Sequence, residues 1–179
     1  MQNWFYEQMS MYTAYHRDER NQLTHHIGVP LIVFSLLVLS ANVTVFTLGT
    51  VSFTLAALLM SALLFVYIYC APLVGTVAVI FYGVLLLLAE IVVRGGDGQH
   101  YAVFGVCFVV GWIIQFVGHG FEGRRPALFD NLLQIFVAPA FLIAEVLFRM
   151  GLETRLKAEV SRRSHKYLPS GQAAANTGD

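Results

Sequence analysis

Residues 21–89 contain no aspartate, glutamate, lysine or arginine, and an uncharged run of that length excludes most ways of folding in water. A helix needs roughly 20 apolar residues to cross the ~30 Å hydrocarbon core of a bilayer, so the run has room for three crossings. Composition agrees: 57% of the 179 residues are hydrophobic and 12% are charged, with a mean hydropathy of +0.66, against about 25% charged residues in an ordinary soluble domain. The sequence describes an integral membrane protein. Backbone in lipid must satisfy its own hydrogen bonds, so the crossings are expected to be helices.

Asn42, Thr44, Thr47, Gly49 and Thr50 weaken the apolar pattern once. Cys70-Ala71-Pro72 breaks it again, because proline has no amide hydrogen and disfavours helix in the residue before it. Spans are expected at about residues 27–46, 51–69 and 73–93, with a fourth at about 101–117 after the turn RGGDGQ. Residues 131–144 are free of charge but hold Pro139 and end at Glu145, a short stretch that suits a re-entrant or interfacial segment better than a crossing. If that segment does not cross, Arg17, Arg20, Arg124, Arg125, Arg149, Arg155, Lys157, Arg162, Arg163 and Lys166 share one side and Arg94 lies opposite, a strong positive-inside bias. If it crosses, the bias is weak and reversed. The expected fold class is all-α: a polytopic membrane helical bundle of four spans plus a re-entrant or interfacial helical segment, a fifth span being possible, with cytoplasmic termini. One membrane-embedded helical domain is expected over 1–168 and a disordered polar tail over 169–179.

The flanks read as surface helices. NWFYEQMSMYTAYHR mixes Trp4, Phe5, Tyr6, Met9, Tyr12 and Tyr15 with polar residues, as an interfacial helix with aromatic anchors does. LETRLKAEV spaces Leu152, Leu156 and Val160 four apart, which makes a basic amphipathic helix. No basic residue precedes Arg17, and the first apolar run is too long for a signal core, so no cleavable signal is expected. Either a bacterial inner membrane or an endoplasmic reticulum membrane is compatible with that. Cys70 and Cys107 lie in or beside apolar helices and read as packing residues. Zero formal net charge and no phosphate-cradling glycine loop argue against nucleic acid or nucleotide partners. The sequence sets no oligomeric state.

Histidine carries the chemistry. Of six, His16, His25, His26 and His119 fall beside the start of the first span or the end of the fourth. An even number of crossings links those points, so all four lie at one face of the membrane. His16 and His25 are nine residues apart, about 900° of helical rotation, so a shared site requires a break near RDERN. His25 and His26 are about 100° apart, so only one points inward. Neutral imidazoles converging from distant positions suit iron, zinc or copper, although no zinc-finger or HExxH spacing is present. Asn21 shares a face with His25 and is read either as orienting its ring or as a helix cap. His119 and Glu122, three apart, share a face as well. Glu90 and Glu145 each precede an arginine by four residues, and pairing across one turn is the simplest account of both. Competing readings are a metal- or haem-binding membrane transport protein and a non-catalytic membrane scaffold. The spans, however, carry few polar residues of the kind a transport path needs.

The stretches YHRDERNQLTHHIGVPLIVFS (15–35) and GWIIQFVGHGFEGRRPALFDNLLQIFVAPAFLIAEVLF (111–148) resemble the two signature blocks of the membrane-bound, iron(II)-dependent 2-hydroxy fatty acid dioxygenases. In fungi that family serves the metabolism of phytosphingosine to odd-numbered fatty acids. The resemblance implies an alpha-oxidation in which dioxygen removes the carboxyl carbon of a 2-hydroxy long-chain fatty acid as carbon dioxide. It also implies Fe(2+) as cofactor, with His16, His25 and His119 as ligands and His26 in reserve. Glu122 would complete the iron's face or accept a proton, an ion pair with Arg125 being its structural alternative. Arg124 or Arg125 would grip the substrate carboxylate, against the plainer role of membrane-boundary anchors.

Overall fold

A computed structural model describes residues 1–96, 98–123 and 131–168; Arg124, Arg125 and the tail 169–179 lie outside the described residues. Helix α1 (Gln2–Tyr15) ends at His16. After a three-residue break, His16 to Asp18, α2 (Glu19–Ala41) starts on an Asp18 N-cap whose carboxylate accepts from the Arg20 amide. Capping explains the break: Asp18 holds an extended backbone and satisfies one of the amides that a helix start leaves unbonded.

Beyond Ala41 the chain departs from the expected pattern. Instead of continuing to residue 46, it forms an antiparallel hairpin of β1 (Thr44–Leu48) and β2 (Val51–Thr54). The cause is local. Thr44, Val45, Thr47, Val51 and Thr54 are β-branched, and Gly49 takes a positive φ of 61° in the two-residue turn, where other side chains are strained. Phe46 stacks on Phe53 across the strands, with ring centroids 4.7 Å apart. The second expected span is therefore shorter: α3 (Leu55–Cys70) has 16 residues and opens on a Thr54 cap. α4 (Pro72–Arg94) and α5 (Gln99–Glu122) follow, with 23 and 24 residues. With α2, these are the helices long and apolar enough to cross a membrane on their own.

Cross-links fix the direction of each helix. At the end remote from His16, the Thr54 hydroxyl donates to Glu90 Oε1 at 2.5 Å and the Asn42 amide donates to the Tyr101 hydroxyl at 3.2 Å. Glu90 thus takes the hairpin's cap residue as its partner rather than Arg94. At the His16 end, Phe5 of α1 meets Tyr67 near the end of α3. The four helices α2 to α5 therefore run alternately through the bundle.

α6 (Gln134–Arg149) does not repeat that pattern. Its start is tied to α1, since Gln134 Nε2 donates to Gln8 Oε1 at 2.9 Å. Its end is tied to the start of α2, since Arg149 donates to Gln22 Oε1 at 2.8 Å and to Glu145 at 3.1 Å. Both ends sit at the His16 end of the bundle, so α6 enters without crossing. Around its Pro139, the hydroxyls of Tyr67 and Tyr82 donate to the carbonyls of Phe136 and Pro139 at 2.5 and 3.3 Å. The chain then bends by 117° into α7 (Thr154–Ser164) and a short 3-10 turn (His165–Tyr167). The two surface helices pack on each other: Phe5, Met9 and Tyr12 of α1 and Leu156 and Val160 of α7 are buried, whereas Leu152 is exposed.

The closest helix packing is between α2 and α5, and missing side chains make it possible. A methyl at Gly111 would lie 2.7 Å from the Ile32 side chain and 3.1 Å from the Gly28 carbonyl. One at Gly118 would overlap the Thr24 hydroxyl and come 2.6 Å from Asn21 Oδ1. Small residues let helix backbones approach where the apolar solvent supplies no hydrophobic drive. That approach sets His119 of α5 beside His25 of α2.

Candidate metal centre

Three helix ends build the site. His16 sits at the C-terminus of α1, His25 in the second turn of α2, and His119 in the last turn of α5. Each is more than nine-tenths buried, and each offers a ring nitrogen within 4.8 Å of those of the other two. Ring centroids are 4.4 Å apart for His16–His25, 5.2 Å for His16–His119 and 4.9 Å for His25–His119.

The proton positions follow from the partners. His16 Nδ1 lies 2.8 Å from the Tyr12 carbonyl, and His25 Nδ1 lies 2.8 Å from the Asn21 carbonyl. A carbonyl only accepts, so each Nδ1 carries the hydrogen, and in the neutral ring the lone pair is on Nε2. Yet His16 Nε2 and His25 Nε2 face each other at 3.1 Å. Two lone pairs at that distance repel unless a proton or a cation lies between them. The third imidazole at the same point favours the cation, because metal-bound histidine typically donates its other nitrogen to a carbonyl or carboxylate. The donor set therefore fits a borderline metal such as iron or zinc.

A second layer holds this arrangement. The Glu122 carboxylate accepts from the backbone amides of Arg17 and Asp18, at 3.1 and 2.9 Å, and from the Asn21 side-chain amide at 3.0 Å. One carboxylate thus pins the break between α1 and α2 to the end of α5, and so positions all three histidines. Asn21 orients His25 through its backbone carbonyl and uses its side chain on Glu122. The cap is Asp18, whose carboxyl the Arg20 guanidinium holds down at about 2. Tyr12 stacks on His16 at 3.9 Å and 13°; burial pushes its hydroxyl well above the ordinary 10, so it stays protonated.

His26 stands apart from the cluster. Its Nδ1 lies 2.8 Å from the Gln22 carbonyl and its Nε2 lies 3.7 Å from Glu145 Oε2, on the α6 side of α2. Arg124 and Arg125 fall outside the described residues. Sequence reasoning missed Tyr12, read there as a belt aromatic, and Gln115, four residues before His119. The i, i+4 spacing of Gln115 and His119 was the available signal.

An apolar groove of 640 Å³ leads away from the histidines between α2, α3, α5 and α6. Val29, Ile32 and Leu36 of α2, Met60 and Leu63 of α3, and Trp112 of α5 line it, and it reaches Ser40. Leu36, Leu59 and Phe136 on its walls are exposed, so one side opens toward the lipid.

The family described as "2-hydroxy-palmitic acid dioxygenase Mpo1-like" matches residues 2–150. A curated relative from Saccharomyces cerevisiae, 2-hydroxy-palmitic acid dioxygenase MPO1, is 41% identical over 155 residues, covering 84% of each chain. No solved structure matches.

Proposed function

This chain belongs to the 2-hydroxy-palmitic acid dioxygenase Mpo1-like family, and from that premise we propose that it is an iron(II)-dependent dioxygenase of 2-hydroxy fatty acids. In the proposed reaction the bond between carbons 1 and 2 breaks. Carbon 1 leaves as carbon dioxide, carbon 2 becomes the new carboxyl, and dioxygen takes up four electrons, ending in the products and one water. The observation that carries this reading is the trio His16, His25 and His119, two of whose lone-pair nitrogens stand 3.1 Å apart at the head of an apolar groove.

Bound iron(II) would supply the redox partner for dioxygen and open positions for the substrate's carboxylate and 2-hydroxyl oxygens. The chain does the rest. The carbonyls of Tyr12 and Asn21 fix the tautomers that present Nε2, and Glu122 keeps the three rings in register. Along α2, His25 to Ser40 is about 22 Å, which matches an extended chain of roughly 16 to 18 carbons whose ~1.5 Å bonds zigzag. The acid would enter sideways from the bilayer through the open wall and bring its carboxylate to the histidines. Arg124 and Arg125, which follow the α5 C-cap Gly123 in sequence, are the proposed carboxylate grip. The basic residues gathered at the His16 end make that end the cytoplasmic one by the positive-inside rule.

The test is anaerobic loading with iron(II), followed by dioxygen and 2-hydroxypalmitate. The expected products are the fifteen-carbon acid and carbon dioxide in equal amounts. A folded, iron-loaded sample that yields neither would overturn the reading and return the chain to the scaffold or transport classes.

A further inference from the structure

Gln115 lines the groove. It is 5% exposed, and its amide nitrogen is buried without a hydrogen-bond partner among the described residues. The Ser40 hydroxyl donates to the Leu36 carbonyl at 2.6 Å; Gln134, at the α6 wall, donates its amide to Gln8 Oε1 at 2.9 Å and leaves only its carbonyl oxygen, an acceptor, buried and unbonded among the described residues. A buried amide left unbonded carries a desolvation cost, so one that persists beside a binding groove points to a partner that arrives with the ligand.

Its place is built by the opposite helix. A methyl at Gly28 of α2 would come 2.9 Å from the Gln115 amide nitrogen, so the absent side chain leaves room for this amide. Gln115 also precedes His119 by four residues, about 6 Å along α5, on the tail side of the cluster. With a carboxylate at the histidines and a tail running toward Ser40, the first polar atom on that side is the hydroxyl of carbon 2. Carbons further along carry none. A carboxamide both donates to and accepts from a hydroxyl.

We infer that Gln115 hydrogen-bonds the 2-hydroxyl of the bound acid and is the residue that separates 2-hydroxy fatty acids from plain ones, an inference that rests on the dioxygenase reading above. Sites built to bond a substrate hydroxyl discriminate strongly against analogues that lack it, because the protein group is then left buried and unpaired.

The test is binding without turnover. Trp112 lines the same groove, so its fluorescence in iron-loaded protein kept under argon reports occupancy, with Trp4→Phe removing the other indole. Wild type, Gln115→Met and Gln115→Leu are titrated with 2-hydroxypalmitate and with palmitate, and iron content is measured on each. Methionine keeps the length and bulk of the side chain but not its amide. The expected result is that Gln115→Met lowers the preference for 2-hydroxypalmitate roughly tenfold, with palmitate affinity and iron content kept. Gln115→Leu, which removes the amide and leaves the α2–α5 backbone approach untouched, lowers the preference in the same direction and serves alone if Gln115→Met does not fold. An unchanged preference in the folded, iron-loaded variant overturns the assignment while leaving the dioxygenase reading intact. A wild type that binds neither acid overturns both.

Discussion

His16 and His25 face each other through nitrogens whose protons have been assigned elsewhere, and that geometry is stable only with positive charge between them. His16→Ala, His25→Ala and His119→Ala are each expected to abolish stoichiometric iron binding while leaving helix content unchanged. His26→Ala is expected to retain the metal, because His26 faces Glu145 and not the cluster. Metal analysis and circular dichroism on the four variants separate these outcomes. Glu122 bonds the chain around the histidines, through the Arg17 and Asp18 amides and the Asn21 side chain. In Glu122→Gln, one acceptor oxygen becomes an amino group facing donors, and metal affinity is expected to fall about tenfold or more; competition with a chelator measures it. The clustering of His16, His25 and His119 was legible in the sequence because imidazoles near a membrane boundary need explaining and the connectivity places them at one face. Gln115 was not, since its significance lies in what it fails to touch across the α2–α5 contact.

Elements were legible where one period dominates. The break between α1 and α2 followed from the nine-residue separation of His16 and His25, and α6 from its short charge-free length. The hairpin was hidden because a β-branched apolar run reads as a lipid-facing helix once a membrane is assumed; Gly49 between two such runs was the missed turn signal. The α1–α7 contact supplies a pH prediction. Glu7 accepts from Lys166 and Tyr167, and those bonds, Lys166 first, hold its carboxyl below the ordinary 4.5. Its contribution to docking is therefore present above pH 4.5 and is lost as pH falls through the depressed value. Tyr167 is pushed up to about 12 by burial first and by Glu7 second, so its contribution is complete below pH 10 and lost as pH rises through about 12. Protection of the α7 amides, taken relative to the intrinsic exchange rate at each pH, should fall at both extremes and be greatest between about pH 5 and 10, while α2 and α5 stay protected throughout.

At the scale of the whole molecule, four helices run alternately through the bundle, α6 lies with both its ends tied to the His16 end, and the histidines close that end of a groove whose side faces lipid. The amphiphilic acid has no need to pass through water: its tail can slide between α5 and the α3–α6 wall while its carboxylate stays at the boundary. Reaction rate should then follow the mole fraction of 2-hydroxypalmitate in the bilayer or mixed micelle, not its amount per volume of buffer. Diluting the substrate tenfold with inert lipid at constant bulk concentration is expected to lower the initial rate about tenfold below saturation, since occupancy scales with local ligand concentration. Diluting the vesicles tenfold with buffer should leave the rate per enzyme unchanged. A tryptophan at Ala62, an exposed small residue lining the groove, would narrow the side entrance. Ala62→Trp should raise KM for long-chain substrates while iron content stays constant. The reverse pattern, a rate set by bulk concentration and indifferent to Ala62→Trp, would mean that the acid reaches the histidines from water.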